Sequence, residues 1–175
     1  MDHSLIIRNE KDGDFEAVSD VLVRAFEQED ESRLVKLLRQ SDSFIPELTM
    51  VAEVNQNIVG SIVYSKIRII NDEGNAFQSI ALVPMAVDPA FQKKGIGSIL
   101  VKSTIAKAKE LGYESIIVLG HAAYYPKFGF TEARPYCIKA PFDVPSEAFM
   151  VLELKEGILE DIKGTVKYNQ AFSML

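Results

Sequence analysis

Several residue types are scarce in this 175-residue chain, and each shortage removes a class of protein. There is one cysteine, Cys137, which excludes an internal disulfide framework and a cysteine-built metal cluster. The only histidines are His3 and His121, and no clustered acidic pattern accompanies them, so no metal site is expected. Tryptophan is absent, which excludes nothing about function. Glycine and proline, 10 and 7 residues, are too few for a collagen-like or low-complexity chain. Basic charge is also short: 19 Lys and Arg stand against 25 Asp and Glu, a net charge of −6. Binding to nucleic acid draws on a basic surplus, so no nucleic-acid partner is expected. No apolar run approaches the roughly 20 residues that span a bilayer, so no membrane partner is expected either. The start, Met1-Asp2-His3-Ser4-Leu5, lacks a basic region followed by an apolar stretch. A secretory leader is therefore not expected, and a cytoplasmic location is.

What is present is an ordinary globular composition, 47% hydrophobic and 25% charged. The length suits one domain covering residues 1–175. Leu5-Ile6-Ile7-Arg8 reads as a first strand, and Asp12-Gly13-Asp14 offers N-cap side chains to a helix. Val18, Val21, Leu22, Ala25 and Phe26 then recur at helical spacing. A second short helix carries Leu34, Leu37 and Leu38, and the acidic stretch Glu27–Glu31 reads as a solvated connection. Met50–Val54 and Ile58–Tyr64 flank the turn cluster Asn55-Gln56-Asn57, a hairpin pattern. Ile80–Val87 is an apolar strand interrupted by Pro84, which marks a local break in pairing because proline donates no ladder hydrogen bond. A helix opens at Gln92 and runs to about Leu111, with Ile96, Ile99, Leu100, Thr104 and Ala108 on its inner face. Gly112 serves as its C-cap. Ser115–Leu119 is an unbroken apolar strand of the buried parallel type. A short helix or turn follows at Ala122–Phe128, then strands at Phe149–Leu154 and from Gly164.

The segment Gln92-Lys93-Lys94-Gly95-Ile96-Gly97 joins the apolar strand to the amphipathic helix. The first amides of a helix have no partner within it, and the helix dipole adds partial positive charge there. Glycines allow close approach to the backbone, and the lysines add cationic side chains. Together these make an anion site suited to a pyrophosphate. A P-loop is excluded because Gly97 is followed by Ser98-Ile99 with no lysine, and a dinucleotide fingerprint is excluded because its third glycine is missing.

Two motifs carry a resemblance. Val87-Asp88-Pro89-Ala90-Phe91-Gln92-Lys93-Lys94-Gly95-Ile96-Gly97 resembles the acetyl-coenzyme A loop of the Gcn5-related N-acetyltransferases, Gln/Arg-x-x-Gly-x-Gly/Ala after Val-x-Pro. Tyr125-Pro126-Lys127-Phe128-Gly129-Phe130 resembles the Tyr-x-x-x-Gly-Phe element of the same family. The resemblance spans about Leu5 to Leu154, and the lead Leu119-Gly120-His121 into Tyr124-Tyr125 is similar to one bacterial subfamily.

That resemblance implies an α+β fold of mixed α/β type, the acyl-coenzyme A N-acyltransferase fold. It has a central mixed, mostly antiparallel sheet with helices on both faces. It implies acetyl-CoA as cosubstrate and acetyl transfer to a primary amine of a small molecule or peptide, by direct attack in a ternary complex. Backbone groups at Met85, Ala86 and Val87 would pair with the pantetheine arm, and the segment from Gln92 through Lys93, Lys94, Gly95, Ile96 and Gly97 to Ser98 would hold the diphosphate. Tyr125 matches the position that serves as general acid in many members, and Tyr124 beside it would touch the coenzyme. Many members place a glutamate base on the central strand. Ile80–Val87 carries no acid here, which leaves His121, a water, or the weaker candidates Glu53 and Glu132 as the base. Cys137 reads as a free buried thiol. A monomer or a homodimer fits the chain equally. The alternative to an enzyme is a non-catalytic acyl-coenzyme A sensor or scaffold.

Overall fold

The apolar spacings predict where strands and helices form. The computed structural model, which describes residues 4–173, shows how they pair; His3 lies outside the described residues. Among the described residues nine strands form, β1 (Leu5–Asn9), β2 (Met50–Val54), β3 (Asn57–Ile70), β4 (Ala76–Val87), β5 (Ser115–Leu119), β6 (Thr131–Glu132), β7 (Ile138–Lys139), β8 (Phe149–Glu153) and β9 (Gly164–Lys167). Three α-helices accompany them, α1 (Phe15–Phe26), α2 (Asp30–Arg39) and α3 (Ile96–Glu110). By backbone contacts the chain divides into two compact units. The first takes the chain up to Tyr64, Val83–Lys107 and the segment from Gln170; the second takes Ser65–Leu82 and Ala108–Asn169.

In the first unit, hydrogen bonding orders the strands β1-β2-β3-β4. β1 and β2 are antiparallel, as are β2 and β3. The β2–β3 turn turns tightly because Asn55 and Gln56 both adopt left-handed backbone, φ 50° and 67°. Alternation then sends side chains to opposite faces. Val51 and Val63 join Val18, Val21, Leu22, Leu34, Val35 and Leu38 in one apolar cluster, so α1 and α2 cover that face. On the other face a Cβ at Gly60 would meet Leu100 Cδ1 at 3.2 Å, and Tyr64 Oη hydrogen-bonds Thr104 Oγ1 at 2.8 Å. Helices therefore cover both faces, the expected arrangement. The expected N-cap at Asp12–Asp14 does not form. Asp14 makes no side-chain cap bond; its carboxylate instead accepts from Arg8 Nη1 at 2.7 Å, Arg8 Nη2 at 3.0 Å and the Lys11 amide at 2.8 Å. Arg8 also donates to Glu53, tying β1, β2 and the α1 entry together. Asp14 is held below the usual carboxylate range by these bonds from Arg8.

In the second unit the order is β3-β4-β5-β8-β6, with β9 against β3 and β7 against β9. β4–β5 and β7–β9 are parallel; β5–β8, β6–β8 and β3–β9 are antiparallel. The β4–β5 ladder consists of Ile80↔Ile116 and Ala81↔Ile117 and stops short of Pro84. The Val83–Pro84 peptide is cis. The C-terminal turn of α3 closes with the Gly112 amide on Lys109 O and the Tyr113 amide on Ala108 O. The sheet is mixed and mostly antiparallel, the expected fold class. Two details differ from expectation. Ile99 is 40% exposed rather than on the inner face of α3, and the helix begins at Ile96 rather than Gln92. Among the described residues no helix is long and apolar enough to cross a membrane.

Candidate functional site

The segment leading into α3 is held from behind. Asp88 sits where β4 ends, its amide donating to Val59 O at 2.7 Å. Its Oδ1 accepts from the Ala90 amide at 3.0 Å, capping a short 3-10 turn over Pro89–Phe91. Its Oδ2 accepts from Arg24 Nε of α1 at 2.9 Å, and Nη2 of the same guanidinium completes the ion pair at 2.7 Å. Gln92 Nε2 reaches back to Val87 O at 3.0 Å. After this anchor the chain passes through left-handed backbone at Lys93, φ 65°, and Gly95, φ 84°. The first helical bond then runs from the Ile99 amide to Gly95 O at 3.1 Å. Ile96, 5% exposed, packs inward and fixes the helix start.

The residues expected on this segment lie together in the first unit. Met85 and Val87 are half-buried on β4, and Ala86 is buried between them. Gln92, Lys93, Lys94 and Gly95 are exposed, while Gly97 and Ser98 are half-buried in the first helical turn. The first turn of α3 holds no acidic side chain. A Cβ at Gly95 would meet nothing within 4 Å, so space lies open beside the backbone just where the helix dipole is positive. Lys94 Nζ lies 5.3 Å from the Phe91 ring centroid. Backbone amides, cationic side chains and open space at one helix start suit an anion with several oxygens.

The second unit gathers the other expected residues. After β5, the Gly120 amide donates to Ala148 O at 2.9 Å. His121 is exposed, and its carbonyl accepts from the Tyr124 amide at 3.0 Å and the Tyr125 amide at 3.3 Å. A 3-10 turn, Tyr125–Phe128, then ends on left-handed Gly129. Tyr125 is 8% exposed and packs edge-on against Tyr124 and Phe130, with ring centroids at 5.1 and 5.6 Å. Lys127 Nζ stands 4.0 Å from the Tyr124 ring centroid. Burial, with a smaller contribution from Tyr124, pushes the Tyr125 phenol up to about 12. Such a group is a neutral hydrogen-bond donor throughout the physiological range.

The weaker candidates fare differently. Glu53 is engaged by Arg8, and Glu132 is exposed on β6. Cys137 is not buried: it is exposed, in left-handed backbone at φ 61° where the 3-10 turn Arg134–Tyr136 ends. Among the described residues no group of three or more His, Cys, Asp and Glu side chains could hold a metal.

Sequence reasoning missed the Arg24–Asp88 tie. Asp-Pro after a strand signals a capped turn, but nothing in the pattern points to Arg24, 64 positions away. Two of the cavities lie in the first unit. One of about 750 Å³ follows α1 and α2 past Glu10, Phe15, Asp20, Lys36 and Arg39, and none of the expected residues line it. Its Glu10 is already paired by Arg39, at 3.1 and 2.7 Å. A smaller one, about 360 Å³, touches Arg24, Asp88 and Phe91 at the root of the α3 segment.

Comparison with known proteins finds matches over most of the chain. The model of the acetyltransferase (GNAT) family matches residues 15–130. The uncharacterized N-acetyltransferase YhbS of Escherichia coli K12 is 27% identical over 169 residues, 97% of this chain and 99% of that protein. The uncharacterized N-acetyltransferase YjhQ of the same strain is 32% identical over 131 residues, 74% of this chain and 72% of that one. Among solved structures, E. coli YhbS in complex with CoA aligns with a TM-score of 0.90 at 26% identity, covering 99% of this chain and 94% of that one. A GNAT family acetyltransferase from Brucella melitensis in complex with acetyl-CoA aligns with a TM-score of 0.79 at 26% identity, covering 98% and 99%.

Proposed function

We propose that this chain, which belongs to the acetyltransferase (GNAT) family, moves the acetyl group of acetyl-CoA to a primary amine of a small molecule or peptide. The observation that carries this reading is the start of α3, where Lys93, Lys94 and open space at Gly95 suit an anionic diphosphate. That two relatives, YhbS and the Brucella enzyme, were solved with CoA and acetyl-CoA supports the same ligand here. Residues 1–175 would act as one acetyltransferase domain, since the YhbS match takes in 97% of the chain.

In this reading Gln92, the amides from Lys93 to Ser98 and the side chains of Lys93 and Lys94 hold the diphosphate. Backbone groups of Met85, Ala86 and Val87 align the pantetheine arm, and Tyr124 packs beside it. Acetyl-CoA, when bound, supplies an acetyl group activated as a thioester. The amine nitrogen forms the new bond to the acetyl carbon as the bond from carbon to sulfur breaks, and the proton that the amine loses is matched by one gained at sulfur. His121, or a water, takes the proton from the amine. Tyr125 donates its hydroxyl proton toward the sulfur. A phenol near 12 is a weaker acid than a thiol near 8.5, so Tyr125 acts chiefly by hydrogen-bonding the sulfur as negative charge builds, with net transfer drawn from the amine's own proton.

Isothermal titration with acetyl-CoA tests the reading, and micromolar binding is the expected result. Absence of binding at millimolar ligand would overturn it. Release of free CoA above the hydrolysis background, measured across a panel of peptides and small amines, then tests transfer. Tyr125→Phe should lower that release about 10-fold or more while leaving acetyl-CoA affinity within twofold. Unchanged release would remove Tyr125 from the acid role.

A further inference from the structure

We propose that Gly120 is a positioning residue for Tyr125: its lack of a side chain is what lets the Tyr125 ring lie where it does. The proposal rests on the reading of Tyr125 as the proton donor to sulfur. Gly120 follows β5 directly, and its amide is fixed to Ala148 O at 2.9 Å. A Cβ built on this backbone would meet Tyr125 Cδ2 at 2.9 Å and Cζ at 3.4 Å, with Cε2 closer than either. Carbon atoms do not approach below about 3.5 Å without repulsion, so ring and Cβ cannot share that volume.

The ring has little room to yield. It is walled by Tyr124, Phe128 and Phe130, with centroids at 5.1, 6.4 and 5.6 Å. Its backbone is pinned as well, since the carbonyl of His121, the residue after Gly120, accepts the Tyr125 amide. Gly120 and His121 thus fix Tyr125 from two directions, one by leaving space and one by a hydrogen bond. A side chain at 120 would tilt the ring out of its seat, carrying Oη with it. A displacement of about 1 Å at a reacting group is enough to cost rate heavily without touching remote binding contacts.

The test is a double-mutant cycle read by stability, ring titration and turnover. The proteins are wild type, Gly120→Ala, Tyr125→Ala, Tyr125→Phe and the doubles Gly120→Ala/Tyr125→Ala and Gly120→Ala/Tyr125→Phe. Tyr125→Ala removes the atoms with which the new Cβ collides, so Gly120→Ala should lower the melting temperature by several degrees in the wild type and by under one degree on Tyr125→Ala. This holds even where Gly120→Ala alone fails to fold, because the double variant should fold as Tyr125→Ala does. An equal penalty in both backgrounds would overturn the proposal. Tyrosine labelled with ¹³C at Cζ gives a second readout, with the Tyr125 signal assigned from Tyr125→Phe. The signal should move by only about a tenth of its full range by pH 11 in the wild type and titrate nearer pH 10 in Gly120→Ala; the same titration in both would count against displacement. With the fastest amine from the panel, Gly120→Ala should reduce kcat at least 10-fold with acetyl-CoA affinity within twofold, and should add no loss on Tyr125→Phe. Further loss on that background would overturn action through Tyr125. Failure of the proton-donor reading looks different: Tyr125→Phe would keep full kcat while the stability coupling persisted.

Discussion

Tyr125 joins burial to chemistry in one side chain. Because its anion would be formed among Tyr124, Phe128 and Phe130 rather than in water, the phenol keeps its proton to about 12. Tyr168, stacked on Phe142 at 5.9 Å, is pushed to about 12 by burial alone. In the unfolded chain both titrate near 10, so above that pH the unfolded state sheds protons that the folded state retains. Stability from this source is fully present below pH 10 and is lost as pH rises toward 12. Denaturant unfolding at pH 8 and pH 11 should show it: Tyr125→Phe is expected to lose about 1 kcal/mol less than wild type over that interval. An equal loss in both proteins would contradict a buried, raised phenol. The position of Tyr125 was legible in the sequence because Gly129-Phe130 follows at fixed spacing. Its seat against Gly120 was not, since a lone glycine after a strand carries no sign of which ring will lie over it. Asp14 shows the same limit. Its spacing before α1 suited a cap, but the guanidinium of Arg8 on a neighbouring strand outcompeted the helix amides for its carboxylate.

At the scale of elements, the hairpin of β2 and β3 and helix α1 were legible because each repeats its apolar period over several residues, and strand β5 because its apolar run is unbroken. β6 and β7 have two residues each, too few to show any period, and exist only because β8 and β9 present partners. The start of α3 was misplaced by four residues for a physical reason. Lys93 and Gly95 adopt left-handed backbone, which no α-helix continues, so the helix waits until Ile96. That conformation yields a prediction at Gly95. A valine there is strained by φ alone, at about 1–2 kcal/mol, although its side chain would find open space. Asparagine tolerates the conformation, so Gly95→Asn should fold with near wild-type stability. Both variants are expected to weaken acetyl-CoA binding at least 10-fold by calorimetry, because both fill the space beside the helix amides. Normal affinity in Gly95→Asn would show that this space is not where the diphosphate lies.

Across the whole molecule, β3, β4 and α3 each run from one compact unit into the other. Neither unit can therefore unfold without taking apart strands and a helix that continue into its neighbour in sequence. We expect one cooperative thermal transition, with calorimetric and van't Hoff enthalpies equal. Two resolved transitions would instead mark two independent domains. Acetyl-CoA at 100 times its dissociation constant should raise the midpoint by several degrees, since such binding adds about 2.7 kcal/mol. The exposed sulfur of Cys137 makes these measurements simpler than the composition first suggests. It is the one thiol in the chain and there is no tryptophan, so a maleimide dye would attach at a single defined point and emit without competition from an indole. Such a label reports on the second unit while backbone circular dichroism reports on the entire fold, and coincidence of the two curves reads out cooperativity without any engineered residue.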